Sequence, residues 1–193
     1  KQPIQMKQLI CYLFIAGVTS HSGLTAAQSK PAPKATDREK IERAIRLQLK
    51  KPTGILTAAD YKKVKRLDLQ ALGITDISLL AKLTELEHLK LTYNQIQNLK
   101  PLKDLTKLKW LHIGENRVSD ITPLAGLKKM EWLYLERNQV KSAEVLAGLK
   151  ALKGINLSGN PIPPAQLDRY RRMLFMAAPS PGDPSKLEIN PLH

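Results

Sequence analysis

From residue 64 onward, apolar and polar positions form a pattern that returns every 22 residues without insertion. Val64, Leu86, Leu108, Met130 and Leu152 open each copy. Three and five residues later come Leu67 and Leu69, Leu89 and Leu91, Leu111 and Ile113, Leu133 and Leu135, and Ile155 and Leu157. Such alternation predicts a short strand with its two apolar side chains turned inward. The next fixed position is Asn94, Asn116, Asn138 and Asn160, with Leu72 in the first copy, followed two residues on by Ile74, Ile96, Val118, Val140 and Ile162. The Asn falls where the chain leaves the strand, so its side chain can satisfy backbone groups there and stack into a ladder. The returning half places apolar residues at every third position, as in Ile77, Leu80 and Leu83. That spacing suits a 3₁₀ turn better than an α-helix. No copy can bury its own apolar set, so the copies must stack.

The pattern L-x-x-L-x-L-x-x-N-x-I over residues 64–162 resembles the leucine-rich repeat family, in its 22-residue, internalin-like bacterial subclass. The resemblance implies an α/β solenoid: a horseshoe segment of five repeats with parallel strands on the concave face, a helical N-terminal cap and a C-terminal capping helix. It also implies a non-catalytic scaffold that binds a protein or peptide.

The flanks carry matching signals. Thr36-Asp37 can start a helix running to about Leu49, with Ile41, Ile45 and Leu49 on one face. Thr57-Ala58-Ala59-Asp60 resembles a capping box, and residues 37–63 are read as the N-terminal cap, with Ile55-Leu56 able to add an edge strand. Pro163-Pro164 opens a C-terminal helix over residues 163–176, with Leu167, Tyr170, Leu174 and Phe175 on one face. Residues 177–193, with four prolines and few apolar residues, are expected to be disordered.

Met6-Lys7-Gln8, the apolar stretch Leu9 to Val18 and the small residues Thr25-Ala26-Ala27 read as a secretory signal over residues 1–27, with Met6 as its start. A buried N-terminal helix and lipidation through Cys11 are the alternatives. Residues 28–36, rich in Pro, Ala and Lys, are read as a flexible linker. An exported protein, whether periplasmic, secreted or attached to the cell envelope, is expected. No apolar run reaches about 18 residues, so no membrane span is expected. The single Cys excludes an intrachain disulfide framework or a cysteine zinc cluster.

Chemistry is sparse. The chain carries no phosphate loop, nucleophile elbow or H-E-x-x-H, and no enzyme, cofactor or metal is expected. His88 and His112 fall on adjacent strands, one side-chain step apart, and are read as solvent-facing rather than metal-ligating. Asp68, Glu115 and Glu136 share the sheet without an evident reason for a raised pKa. The outward positions are more telling. Arg66, His88, Trp110, Trp132 and Gly154 form one column; Asp68, Lys90, His112, Tyr134 and Asn156 a second; Gln70, Thr92, Gly114, Glu136 and Ser158 a third; Ala71, Tyr93, Glu115, Arg137 and Gly159 mark the strand exits. Trp110 and Trp132 should stand side by side on the concave face, near Tyr134 and Tyr93. Large aromatics on a sheet surface make a contact patch. The expected ligand-binding set is Trp110, Trp132, Tyr134, Tyr93, His88, His112, Lys90, Glu136 and Arg137. Lys65, Glu87, Lys109, Glu131 and Lys153 alternate in sign and are read as a structural charge ladder.

Charge narrows the ligand. Thirty-one Lys and Arg against seventeen Asp and Glu give a net charge of +14. The excess is concentrated in residues 28–63, with ten basic and four acidic side chains. On the concave columns Arg66, Lys90 and Arg137 offset Asp68, Glu115 and Glu136. Nucleic acid is therefore not expected on that face. A glycan stacked on Trp110 and Trp132, or an anionic cell-envelope polymer on the basic flanks, stands as the alternative to a protein or peptide ligand.

Overall fold

A computed structural model describes residues 34–168 and 170. The expected signal, most of the linker, the far part of the C-terminal helix and the tail lie outside the described residues. Among those described, no helix is long and apolar enough to cross a membrane.

Five strands, β1 (Arg66–Asp68), β2 (His88–Lys90), β3 (Trp110–His112), β4 (Trp132–Tyr134) and β5 (Gly154–Asn156), pair in parallel and in chain order to form one open sheet. Their register follows the repeat, with Leu67, Leu89, Leu111, Leu133 and Ile155 aligned across it. Each of the first four strands returns through a 3₁₀ turn: Ser78–Lys82, Lys100–Leu102, Thr122–Gly126 and Glu144–Gly148. The inward residues of strands and turns form one core running from Ile41 to Tyr170.

The Asn ladder joins each copy to the one before it. Asn116 Oδ1 accepts from Ile96 N at 3.0 Å, and its Nδ2 donates to Leu91 O at 2.9 Å and to Ile113 O at 3.1 Å. Asn94, Asn138 and Asn160 repeat this arrangement. Leu72 interrupts the ladder, and its own backbone N–H donates to Asn94 Oδ1. The residue before each Asn takes a left-handed backbone, with φ of 58° at Tyr93, 55° at Glu115 and 51° at Arg137. That twist turns the Asn side chain back under the strand.

Two helices cover the N-terminal end. Helix α1 (Asp37–Leu49) starts at a capping box formed by Thr36 and Glu39, and buries Ile41 and Ile45. Helix α2 (Ala58–Lys63) starts at a second box formed by Thr57 and Asp60. Asp37 fastens α1 to the first repeat: its Oδ2 accepts from Thr75 N and Thr75 Oγ1 at 2.8 Å each, and from Asp76 N at 2.9 Å. The suggested edge strand at Ile55-Leu56 does not form. Lys51 Nζ instead holds the Ile55 carbonyl at 2.8 Å, and the Ile55 side chain is 83% exposed. At the other end, α3 (Pro164–Asp168) is followed by the buried Tyr170, whose hydroxyl donates to Ala143 O at 3.1 Å.

Candidate functional site

Outward side chains of β3 and β4 form one cluster. Trp110 stands edge-on to His112, with ring centroids 5.7 Å apart, and tilts against Tyr134 at 5.9 Å. His112 and Tyr134 lie 5.0 Å apart. His112 Nε2–H donates to Glu136 Oε1 at 2.6 Å.

Two glycines shape this surface. The Glu136 carboxylate lies across Gly114, in the space a β-carbon would fill, and the Trp132 ring lies across Gly154 in the same way. Each large side chain leans onto a neighbouring strand because that strand offers no side chain there. Trp110 and Trp132 are backbone partners, as the 22-residue period requires, but Trp132 lies over Gly154 while Trp110 packs on His112 and Tyr134. Trp110 is consequently 4% exposed, where the sequence suggested a solvent-facing ring.

The other expected site residues are more scattered. His88 is the register neighbour of Trp110, and Lys90 that of His112; all but Trp110 are half-buried. Burial, and then the Arg66 charge, push the His88 pKa below its usual value. Tyr93 stands 58% exposed at its strand exit. Arg137 turns to Glu115, with Nη1 donating to Oε1 at 2.8 Å. Burial acts to raise the Glu136 pKa, but the hydrogen bond and charge of His112 outweigh it and hold the carboxyl below its usual range. That is the opposite of what a general acid requires. No group of three His, Cys, Asp or Glu among the described residues could hold a metal.

Part of the charge ladder forms as expected, with Lys109 on Glu87 at 2.7 Å and Lys153 on Glu131 at 2.6 Å. Lys65 instead shares Glu85 with Lys107. These partly exposed pairs are screened by solvent and contribute little to stability.

Sequence reasoning did not single out Gly114, Gly154 or Thr92. The signal available was two glycines among outward columns otherwise filled by large side chains. Thr92, two positions past the end of β2, is 2% exposed. Five buried polar atoms among the described residues have no hydrogen-bond partner: His88 Nδ1, Thr92 Oγ1, Trp110 Nε1, His112 Nδ1 and Glu136 Oε2. All five belong to outward positions on this one face.

A parallel sheet built from 22-residue copies, an Asn ladder and 3₁₀ returns defines a leucine-rich repeat protein, and the family described as Leucine rich repeat matches residues 85–140 and 106–162. Residues 85–162 thus match that family, and the repeats are of the internalin-like type. An internalin from Listeria monocytogenes is 30% identical with a TM-score of 0.60, over 62% of this chain and 36% of that one. A leucine-rich repeat protein from Leptospira interrogans is 29% identical with a TM-score of 0.54, over 63% of this chain and 32% of that one. The chain thus spans about a third of the length of either structure. Among curated proteins no match is found.

Proposed function

We propose that this chain is an exported, non-catalytic module that binds a protein or peptide on the open face of its sheet. The observation carrying this reading is the cluster of Trp110, His112 and Tyr134 on outward positions, with Trp132 over Gly154 on the same face and Tyr93 exposed at a strand exit. A cross-strand aromatic pair is ordinary sheet stabilisation. Three rings in contact, with Trp132 on the same two strands and Tyr93 at the adjacent strand exit, exceed what five short strands need. Export is supported by the residue pattern from Met6 to Ala27, and N-terminal sequencing of the mature protein tests it: a chain from its native host that begins at Met6 overturns it.

The binding test is selection of displayed peptides on the whole chain, with Trp132→Ala/Tyr134→Ala as the counter-target. Both rings are half-buried, so this variant is expected to fold. Peptides that bind it about tenfold or more weakly than wild type support the reading. Equal binding to both proteins, or no enriched peptide, overturns it. A glycan is the second reading, supported by the position of the Trp132 ring over Gly154. It predicts binding on a carbohydrate array that is lost in Trp132→Ala.

A further inference from the structure

Buried polar atoms in folded proteins are nearly always paired, and each exception calls for a physical reason. Here the five exceptions share one face, and two belong to side chains more than nine-tenths buried, Thr92 at 2% and Trp110 at 4% exposure. Their bonding capacities are unequal. Glu136 Oε2, on an ionised carboxylate, only accepts; Thr92 Oγ1 accepts as well as donates. His112 Nε2–H donates to Glu136, so Nδ1 carries a lone pair on the neutral ring and a second N–H on the protonated one. His88 Nδ1 accepts or donates according to its tautomer. Trp110 Nε1 alone must donate. Four of the five atoms can accept, one of them on a partly exposed carboxylate, and aromatic rings lie beside them.

We infer that the partner lays an arginine side chain against the Glu136 carboxylate and the half-buried His112 and Tyr134 rings, a reading that rests on the proposed binding face. A guanidinium has five N–H donors and no acceptor, and its flat surface stacks on aromatic rings. An ammonium has three donors and no such surface. The chain's own nearby cations, Arg66 and Lys90, are register neighbours of His88 and His112, yet neither bonds to any of the five atoms. Asp68, opposite Lys90, and Glu136 balance them. The side chains of His112 and Glu136 are 22% and 21% exposed, so a partner can reach both.

The test uses the peptides selected above, resynthesised with each arginine replaced by citrulline or by lysine. Citrulline keeps the shape but loses the charge and one donor arm. The expected result is a loss of about tenfold or more for citrulline on wild type, with a smaller loss for lysine. In Glu136→Gln the arginine and citrulline peptides should bind alike. Gly114→Ala, which displaces the carboxylate while keeping its charge, should weaken the arginine peptide as well and guards against a folding defect in the first variant. Peptides that need Trp132 and Tyr134 but tolerate citrulline overturn the arginine site and leave the binding face standing. So does a citrulline effect that persists in Glu136→Gln. Peptides indifferent to both rings overturn the two readings together.

Discussion

Glu136 lies across Gly114, one repeat before its own, with its carboxylate in the space a β-carbon would fill and its Oε1 bonded to His112. The glycine is thus a shelf for an acidic group, and Gly154 is a shelf for the Trp132 ring. Gly154→Ala should expel that ring toward water. Trp110 stays buried, so a red shift in tryptophan emission would report on Trp132. An unchanged emission maximum would mean that the ring does not depend on the glycine. Gly114→Ala should cost little stability, because the far end of a flexible side chain moves, yet should break the His112 contact, which NMR of the ring resolves.

The two tryptophans should separate clearly on truncation. Trp110→Ala removes a ring that is 4% exposed and should cost about 3–5 kcal/mol, the range for large core truncations. Trp132→Ala, at a half-buried position, should cost well under half of that. Urea unfolding of the two variants measures the gap. Similar midpoints would contradict the burial of Trp110.

These tryptophans mark where the sequence stops being legible. Residues repeated at a fixed period, such as Leu89, Leu111 and Leu133, must point inward, because only stacking buries them. Strand register, the Asn ladder and the 3₁₀ returns follow from that one requirement. Thr36 and Thr57 add local signals that place the starts of α1 and α2. The outward residues have no such period. Which way Trp132 or Glu136 leans is decided by the size of the neighbour one repeat away, and a column read as letters hides that contact. The same holds for Lys65, which finds Glu85 rather than Glu87. Ile55-Leu56 has strand-like residues, but the Lys51 contact commits its backbone elsewhere.

The ladder should be cooperative along the chain. Asn116→Ala leaves Ile96 N without a partner, while Leu91 O and Ile113 O each keep one, from Asn94 Nδ2 and Asn138 Nδ2. One unpaired buried N–H should cost about 1–3 kcal/mol. Asn160→Ala removes equivalent bonds at a part-buried end position and should cost less. Equal losses in denaturant unfolding would show that burial does not grade the ladder.

Acid should loosen the N-terminal cap first through Asp37. Burial acts to raise its pKa, but the backbone N–H groups of Asp76 and Thr75, the Thr75 hydroxyl and the Lys40 ammonium together drive it well below the usual carboxylate range. A carboxyl with a depressed folded pKa contributes stability that is fully present above its unfolded value, near about 3.9, and is lost as pH falls toward the folded value. In Asp37→Asn the side chain keeps an acceptor for Thr75 and Asp76 but loses its charge, so the variant should be less stable than wild type by a constant margin from about pH 5 to 8. Below about pH 4 the wild-type carboxylate begins to take up a proton when the chain unfolds, and the two unfolding midpoints should converge. The comparison needs only urea melts of both proteins at several pH values. A margin that stays constant down to pH 2 would show that the charge of Asp37 does not hold α1 to the first repeat.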